Sequence, residues 1–228
     1  MLTLTYHGHS CWELFDGTHR VLIDPFLTGN SLADVTADSF TKLDAILVTH
    51  GHSDHIGDAV AIAQKTKALV VSNYEIVGWF EKRGVAGHPL HIGGGREFPF
   101  GHVKLTIAHH GSTGPEGEPL GNPAGLVVSM GGKKVYHAGD TALFLDMKLI
   151  AEMNGLIDAV LLPIGDNFTM GIADAAKAAE FVDAGIAIPM HYDTFGWIRA
   201  DPKEFVRRVV AGGRKAAVVK PGASYEIR

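Results

Sequence analysis

The chain has 228 residues, 46% hydrophobic and 20% charged, with a formal net charge of −5 and a single cysteine, Cys11. An intrachain disulfide is therefore excluded, and no apolar run approaches the roughly 20 residues that cross a bilayer. Lysine and arginine never gather beyond short pieces such as Val206-Arg207-Arg208 and Gly132-Lys133-Lys134, so tight nucleic-acid binding, which needs several clustered cations, is not expected. The composition is otherwise that of an ordinary globular protein. The first residues, Met1 to His7, carry neither a basic segment nor a long apolar core. No signal peptide is read there, and the expected location is the cytoplasm. Two counts stand out, 13 histidines and 28 glycines. Histidine raises the expectation of metal or acid–base chemistry, and glycine that of tight turns and backbone close to ligands.

Leu2 to Tyr6 alternates as a strand, and Cys11 to Phe15 follows it. Val21-Leu22-Ile23 is a short buried run before Asp24-Pro25. Ala45 to Thr49 reads as a strand of the fully buried type and ends in a polar, histidine-rich turn. Ala59 to Lys65 is helical, Ala68 to Ser72 is a strand, and Tyr74 to Lys82 has helical spacing that stops at Gly84. Gly93-Gly94-Gly95 is a turn and not a phosphate loop, since no Lys-Ser/Thr follows. Val103 to Ala108 is a strand ending in His109-His110. Gly125 to Met130 and Lys134 to His137 flank a Gly131-Gly132 turn, a hairpin signal. Leu143 to Met153 is a helix, and Ala159 to Leu162 is a strand ending at Pro163. Ile172 to Ala184 is an amphipathic helix, with Asp174 in its first turn and Gly185 past its end. Ile186 to Ile188 is a strand before Pro189, and Pro202 starts another helix. Ala216 to Val219 and Ser224 to Ile227 read as strands. Two sheets with helices packed outside suit this order, in one α/β domain over residues 1–228.

The chemistry concentrates in His50-Gly51-His52-Ser53-Asp54-His55, directly after a buried strand. Three imidazoles and a carboxylate so close together are hard to explain as packing. These donors are common ligands of zinc and its first-row neighbours. Small Gly51 and Ser53 let the loop curl and aim its ligands inward. No Gly-x-Ser-x-Gly motif marks a serine nucleophile, and Cys11 reads as a small core residue.

With this motif the sequence resembles the metallo-β-lactamase fold superfamily, whose signature is H-x-H-x-D-H at a strand-to-helix turn. Later segments fall in the family's order: Ala108-His109-His110-Gly111-Ser112, Ala138-Gly139-Asp140-Thr141 and Ile188-Pro189-Met190-His191-Tyr192. The resemblance implies a four-layer αββα sandwich of two related halves, with metals at one end of the sheets. It implies one divalent metal on His50, His52 and His110, a second on Asp54, His55 and His191, and a bridging Asp140. Asp54 and Asp140 would be the catalytic carboxylates. Ions roughly 3.5–4 Å apart would share a hydroxide and polarise the scissile group. Zinc is the expected metal, while manganese, iron or nickel suit the same ligands.

Tyr6-His7-Gly8-His9-Ser10, Ile23-Asp24-Pro25-Phe26, Gly165 to Gly171, and His191 to Phe195 resemble small bacterial and archaeal metal-dependent hydrolases near the ascorbate-6-phosphate lactonases. The implied activity is hydrolysis of a small ester, lactone or phosphodiester. A nuclease of the same fold and a non-catalytic metal-binding module are the alternatives. The compact acidic chain shows no arm to grip RNA, and its ligand set is complete. The partner expected is a small molecule and not a membrane; homo-oligomers are compatible.

Four residues are expected around the ligands. Asp24 would support the ligand loop from behind, as such carboxylates do; a plain Asp-Pro turn is its other reading. His9 is placed near the entrance, against substrate; a structural histidine is its other reading. Asn167, in the loop Gly165 to Gly171, would offer an amide to substrate. His109 would form the pocket wall or support a ligand from behind. Strict alternation along Val103 to Ala108 would carry the buried row Leu105, Ile107 into His109, but the chain turns at Gly111. In the related hydrolases the ligand follows Ala by two positions and precedes a small residue, which selects His110. His7, His19, His88, His91, His102 and His137 are read as surface or packing residues.

Overall fold

The computed structural model describes all 228 residues. The first sheet begins with β1 (Leu2–Tyr6), β2 (Trp12–Phe15), β3 (Arg20–Ile23), β4 (Ala45–Leu47), β5 (Leu69–Asn73) and β6 (Gly87–Leu90). The second takes β7 (Gly95–Phe98), β8 (Gly101–Ile107), β9 (Ala124–Met130), β10 (Lys133–His137), β11 (Ala159–Pro163) and β12 (Ile186–Met190). The last strand, β13 (Ser224–Ile227), returns to the first sheet beside β1. The helices are α1 (Ser53–Ile56), α2 (Ala59–Thr66), α3 (Tyr74–Glu81), α4 (Lys148–Asn154), α5 (Ile172–Val182) and α6 (Pro202–Ala211).

Strand side chains alternate between faces, and that sorts the apolar residues into three clusters. Val21, Ile23, Ala45 and Leu47 of the first sheet meet Leu105, Leu126, Val128, Leu161 and Ile188 of the second. Leu22, Ile46 and Val70 point the other way, onto Ile62, Ala63, Ile76 and Phe80 of α2 and α3. Tyr136, Val160 and Leu162 likewise meet Ala175, Ala178, Val182, Phe205 and Val209 of α5 and α6. The result is the expected α/β sandwich of helix, sheet, sheet and helix layers. No helix is long and apolar enough to cross a membrane.

Strand direction fixes where chemistry can gather. β1 and β3 both run antiparallel to β2, and β3, β4 and β5 are parallel. The first sheet therefore points the carboxyl ends of β1, β3, β4 and β5 the same way. By the same reasoning β8, β10, β11 and β12 share a direction in the second sheet. The turns after these strands carry His9, Asp24, the His50–His55 motif, His110, Asp140, Asn167 and His191.

Some elements depart from the sequence reading. β6 and β7 were not expected; they are the outer strands of their sheets. An edge strand needs no alternating apolar face and tolerates a proline such as Pro89. Ala216 to Val219 is not a strand; Ala216 makes one isolated bridge to Ala187, and the segment otherwise runs free of the sheet. The helix expected over Leu143 to Met153 divides into a tight turn at Leu145–Met147 followed by α4. The Gly131-Gly132 hairpin is present, with φ of +58° and +74° that side-chain-bearing residues rarely adopt.

Leu126 is fully buried between the sheets, whereas Leu145 is 64% exposed. Leu126→Ala should cost about 2–5 kcal/mol, and Leu145→Ala about 0.5 kcal/mol or less. Urea unfolding of both variants checks this, and similar midpoints would contradict the assignment of the core.

Candidate metal centre

The strand-end turns bring five imidazoles and two carboxylates of the sequence reading together. His50, His52 and His110 form one group of converging donor atoms, and Asp54, His55 and His191, joined by His9, form another. The His110 ring lies 5.1 Å from that of His50 and 4.9 Å from that of His52. Asp140 stands between the groups. Its Oδ2 is 3.0 Å from His191 Nε2, 3.3 Å from His55 Nε2 and 3.5 Å from His110 Nε2. Gly51 lets His50 and His52 turn to one side: a Cβ there would come within 2.8 Å of Leu120 Cβ. Ser112 pins the same point, accepting from the Gly51 N–H at 3.0 Å and donating to the Leu120 carbonyl.

Asp24 orients two of the imidazoles. It is wholly buried and accepts from the Thr49 N–H (2.8 Å), the Thr49 hydroxyl (2.6 Å) and His55 Nδ1 (2.8 Å). Because the Thr49 hydroxyl donates to Asp24, its contact with His50 Nδ1 at 3.0 Å must be one it accepts. Both His50 and His55 therefore carry a proton on Nδ1 and turn Nε2 toward the centre, the orientation a metal ligand requires.

The electrostatics agree with this donor set. Burial and the neighbouring His55 hold His50 well below its ordinary pKa, so it is neutral. Burial likewise lowers His52 and His110. At His55 burial acts downward, yet the carboxylates of Asp140 and Asp24 raise its pKa well above the ordinary value. Burial works against ionised Asp140, but His191 and His55 hold it well below the usual carboxylate range. The field at this point favours positive charge, and a divalent ion would satisfy it.

Hydrogen bonding gives the same result. Asp140 Oδ1 and His191 Nδ1 are buried without a hydrogen-bond partner, and His55 Nε2 and His191 Nε2 meet only Asp140 Oδ2, out of hydrogen-bond geometry. A buried polar group left so costs roughly 1–3 kcal/mol. Several such atoms around one point fit coordination to a cation.

The remaining expected residues divide. Asp24 lies directly behind the donors. His9 is not at the entrance: its exposure is 0%, because both ring nitrogens are engaged, by Thr194 and Asp54. Asn167 is exposed and left-handed, and it is not among the residues lining the cleft beside Asp54. That cleft holds about 600 Å³ and is walled by Phe26, Thr28, Ser53, Gly57, Asp58 and Phe195. His109 is exposed and sets its ring edge-on to Phe144 at 4.9 Å, outside both donor groups. The exposed row is Ile107 and His109, opposite to what alternation from a buried Ile107 implied. His137 is buried and bonded to the Ser10 carbonyl, and His7 pairs with Asp34.

Thr49, Thr194, Phe26 and Phe195 were not singled out for these roles. Thr49 had a signal, as the one polar residue closing the apolar run Ala45 to Val48. Thr194 and Phe195 lie in the His191 to Phe195 stretch that carries the resemblance, but nothing local gives them a role, because what they touch is far away in sequence.

Residues 19–192 match the beta-lactamase superfamily domain. The chain is 49% identical over 230 residues to a UPF0173 metal-dependent hydrolase of Anoxybacillus flavithermus, covering 99% of this chain and 100% of that protein. To another of Geobacillus sp. it is 48% identical over 231 residues, with the same coverage. Among solved structures it is similar to Igni18, a novel metallo hydrolase from the hyperthermophilic archaeon Ignicoccus hospitalis. The TM-score is 0.91 at 37% identity, over 100% of this chain and 99% of that one.

Asp24→Asn should weaken metal binding about 10–100-fold, as loss of such a supporting carboxylate does. Thr49→Val should do so less, since it removes one bond to Asp24 and the contact to His50 but leaves the Asp24 carboxylate and its bond to His55 in place. Competition with a chromophoric chelator measures both, and unchanged affinity in Asp24→Asn would remove Asp24 from the centre.

Proposed function

Since the chain belongs to the beta-lactamase superfamily and is a metal-dependent hydrolase, we propose that it binds two divalent ions and cleaves a small ester, lactone or phosphodiester. His50, His52 and His110 hold one ion, Asp54, His55 and His191 the other, and Asp140 is shared. The position of Asp140 Oδ2, within 3.5 Å of a ring nitrogen of His191, His55 and His110, carries this reading. Zinc suits the imidazole-rich donor set. Bound there, a metal pair polarises a carbonyl or phosphoryl oxygen and makes a water acidic near neutral pH.

The chain's own residues supply the rest. Asp54 opens onto the cleft, so the substrate enters beside it. Phe26 and Phe195, with ring centroids 6.0 Å apart, form an apolar wall that limits water there. Asp58 fixes the Leu27–Thr28 part of the rim, accepting from the N–H groups of Leu27 (3.0 Å) and Thr28 (2.8 Å) and from the Thr28 hydroxyl (2.7 Å). A cleft of about 600 Å³ suits a small molecule. Two divalent ions outweigh the two carboxylates, so the loaded site attracts anionic substrates.

Elemental analysis should find about two transition-metal ions per fully active chain. Chelation should abolish hydrolysis across a panel of phosphodiesters, lactones and thioesters, and added metal should restore it. Full activity without metal would sink the reading. Asp140→Ala should lower turnover about 10²–10³-fold, the kinetic equivalent of several kcal/mol. Normal turnover with metal content intact would show that Asp140 is not shared between the ions. His110→Ala should lose metal and activity far more than His109→Ala, and the reverse order would exchange their roles.

A further inference from the structure

One imidazole at the centre has no place in this ligand set. His9 follows Gly8 in the turn between β1 and β2, and both are left-handed, with φ of +56° and +89°. Its ring lies 4.1 Å from that of His191 and meets Phe26 and Phe195 edge-on, each at 5.4 Å. Its carbonyl accepts from the His191 N–H at 2.7 Å and from the Tyr6 hydroxyl at 2.9 Å. Its Nδ1 is 3.0 Å from Thr194 Oγ1, and its Nε2 is 3.2 Å from Asp54 Oδ2.

We propose that His9 is a positioning residue of the second ion site: it donates Nε2–H to Asp54 Oδ2, leaving Oδ1 for the ion, while its carbonyl holds His191 in its left-handed turn. The inference rests on the two-ion reading above. An ionised carboxylate only accepts, so the contact to Asp54 requires the proton on Nε2. Nδ1 is then bare and accepts from the Thr194 hydroxyl. Two neighbours therefore set the tautomer. The backbone conformation follows from the same job. A left-handed residue costs of order 1 kcal/mol or more, and here it turns the carbonyl toward the His191 N–H while the ring faces Asp54.

Without His9 the Asp54 carboxylate, whose side chain is 26% exposed, can rotate, chelate through both oxygens or swing into the cleft. The loss should be selective. His9 belongs to the donor group of Asp54, His55 and His191 and not to that of His50, His52 and His110.

The test is equilibrium dialysis of the full chain against zinc, with metal per chain read at each free concentration, for wild type, His9→Leu, His9→Gln and Thr194→Val. Cobalt(II) substitution, followed by visible absorption, reports coordination independently of activity. In His9→Leu the second ion should bind about 10–100-fold more weakly, and the first within about twofold of wild type. Its retention shows that the variant is folded. His9→Gln, whose amide can donate to Asp54, should recover most of the second-site affinity. Thr194→Val should show the same selective loss to a smaller degree. Wild-type affinity for both ions in His9→Leu would overturn the proposal. So would a His9→Gln variant as weak as His9→Leu, which would make the imidazole a ligand itself. If His9→Leu fails to fold, wild-type binding in Thr194→Val overturns it. A wild-type chain that takes one ion only would instead refute the two-ion reading, and that result is read before any variant.

Discussion

Asp24 is a carboxylate with no exposed surface, and the centre is built around satisfying its two oxygens. An isolated ion in such a place is very costly. Here Thr49 supplies two hydrogen bonds and His55 a third. Those three bonds also decide how two imidazoles present themselves. The hydroxyl that donates to Asp24 has only its lone pairs left for His50, and His55 has committed its Nδ1. The tautomers at the centre thus follow from a residue that faces away from it.

The backbone around the site is strained in a correlated way. His9, Asp24 and His191 all have φ between +44° and +56°, and Asp166, Asn167 and Asp193 nearby in the chain are left-handed as well. Such conformations persist only where the surroundings over-determine them. The three apolar clusters do this, because they fix the strands from which the turns spring. Apart from Lys67 and Asp183, which cap α2 and α5, the left-handed side-chain-bearing residues all lie in the turns after strands β1, β3, β11 and β12, on the side where the donors converge.

The sequence was most informative where chemistry is unusual. His50, His52, Asp54 and His55 are donor types packed into one turn after an apolar strand, and no packing role explains them. β4, β11 and the Gly131-Gly132 hairpin were legible because buried strands and tight turns have strong local patterns. β6 and β7 were not, because an edge strand lacks the second neighbour that imposes a pattern. His9 was misplaced at the entrance for a related reason. Its burial comes from Thr194, Phe195 and His191, more than 180 positions away, and nothing beside it in the chain reports them. Ala216 to Val219 has the composition of a strand but meets only one backbone neighbour, at Ala187; composition alone does not make a sheet.

β1 pairs with β13, so the first strand has as a neighbour the last one, with Leu2 opposite Ile227 and Thr5 opposite Ser224. The consequence is one of timing during synthesis. At about 5–20 residues per second, some 10–45 s separate the emergence of these two strands from the ribosome. For that interval one edge of β1 has no partner, and open edges invite pairing with other chains. The His9 carbonyl waits nearly as long for His191. The centre is thus assembled from segments synthesised far apart in time, and it cannot close until its second-half donors, His110, Asp140 and His191, have been made.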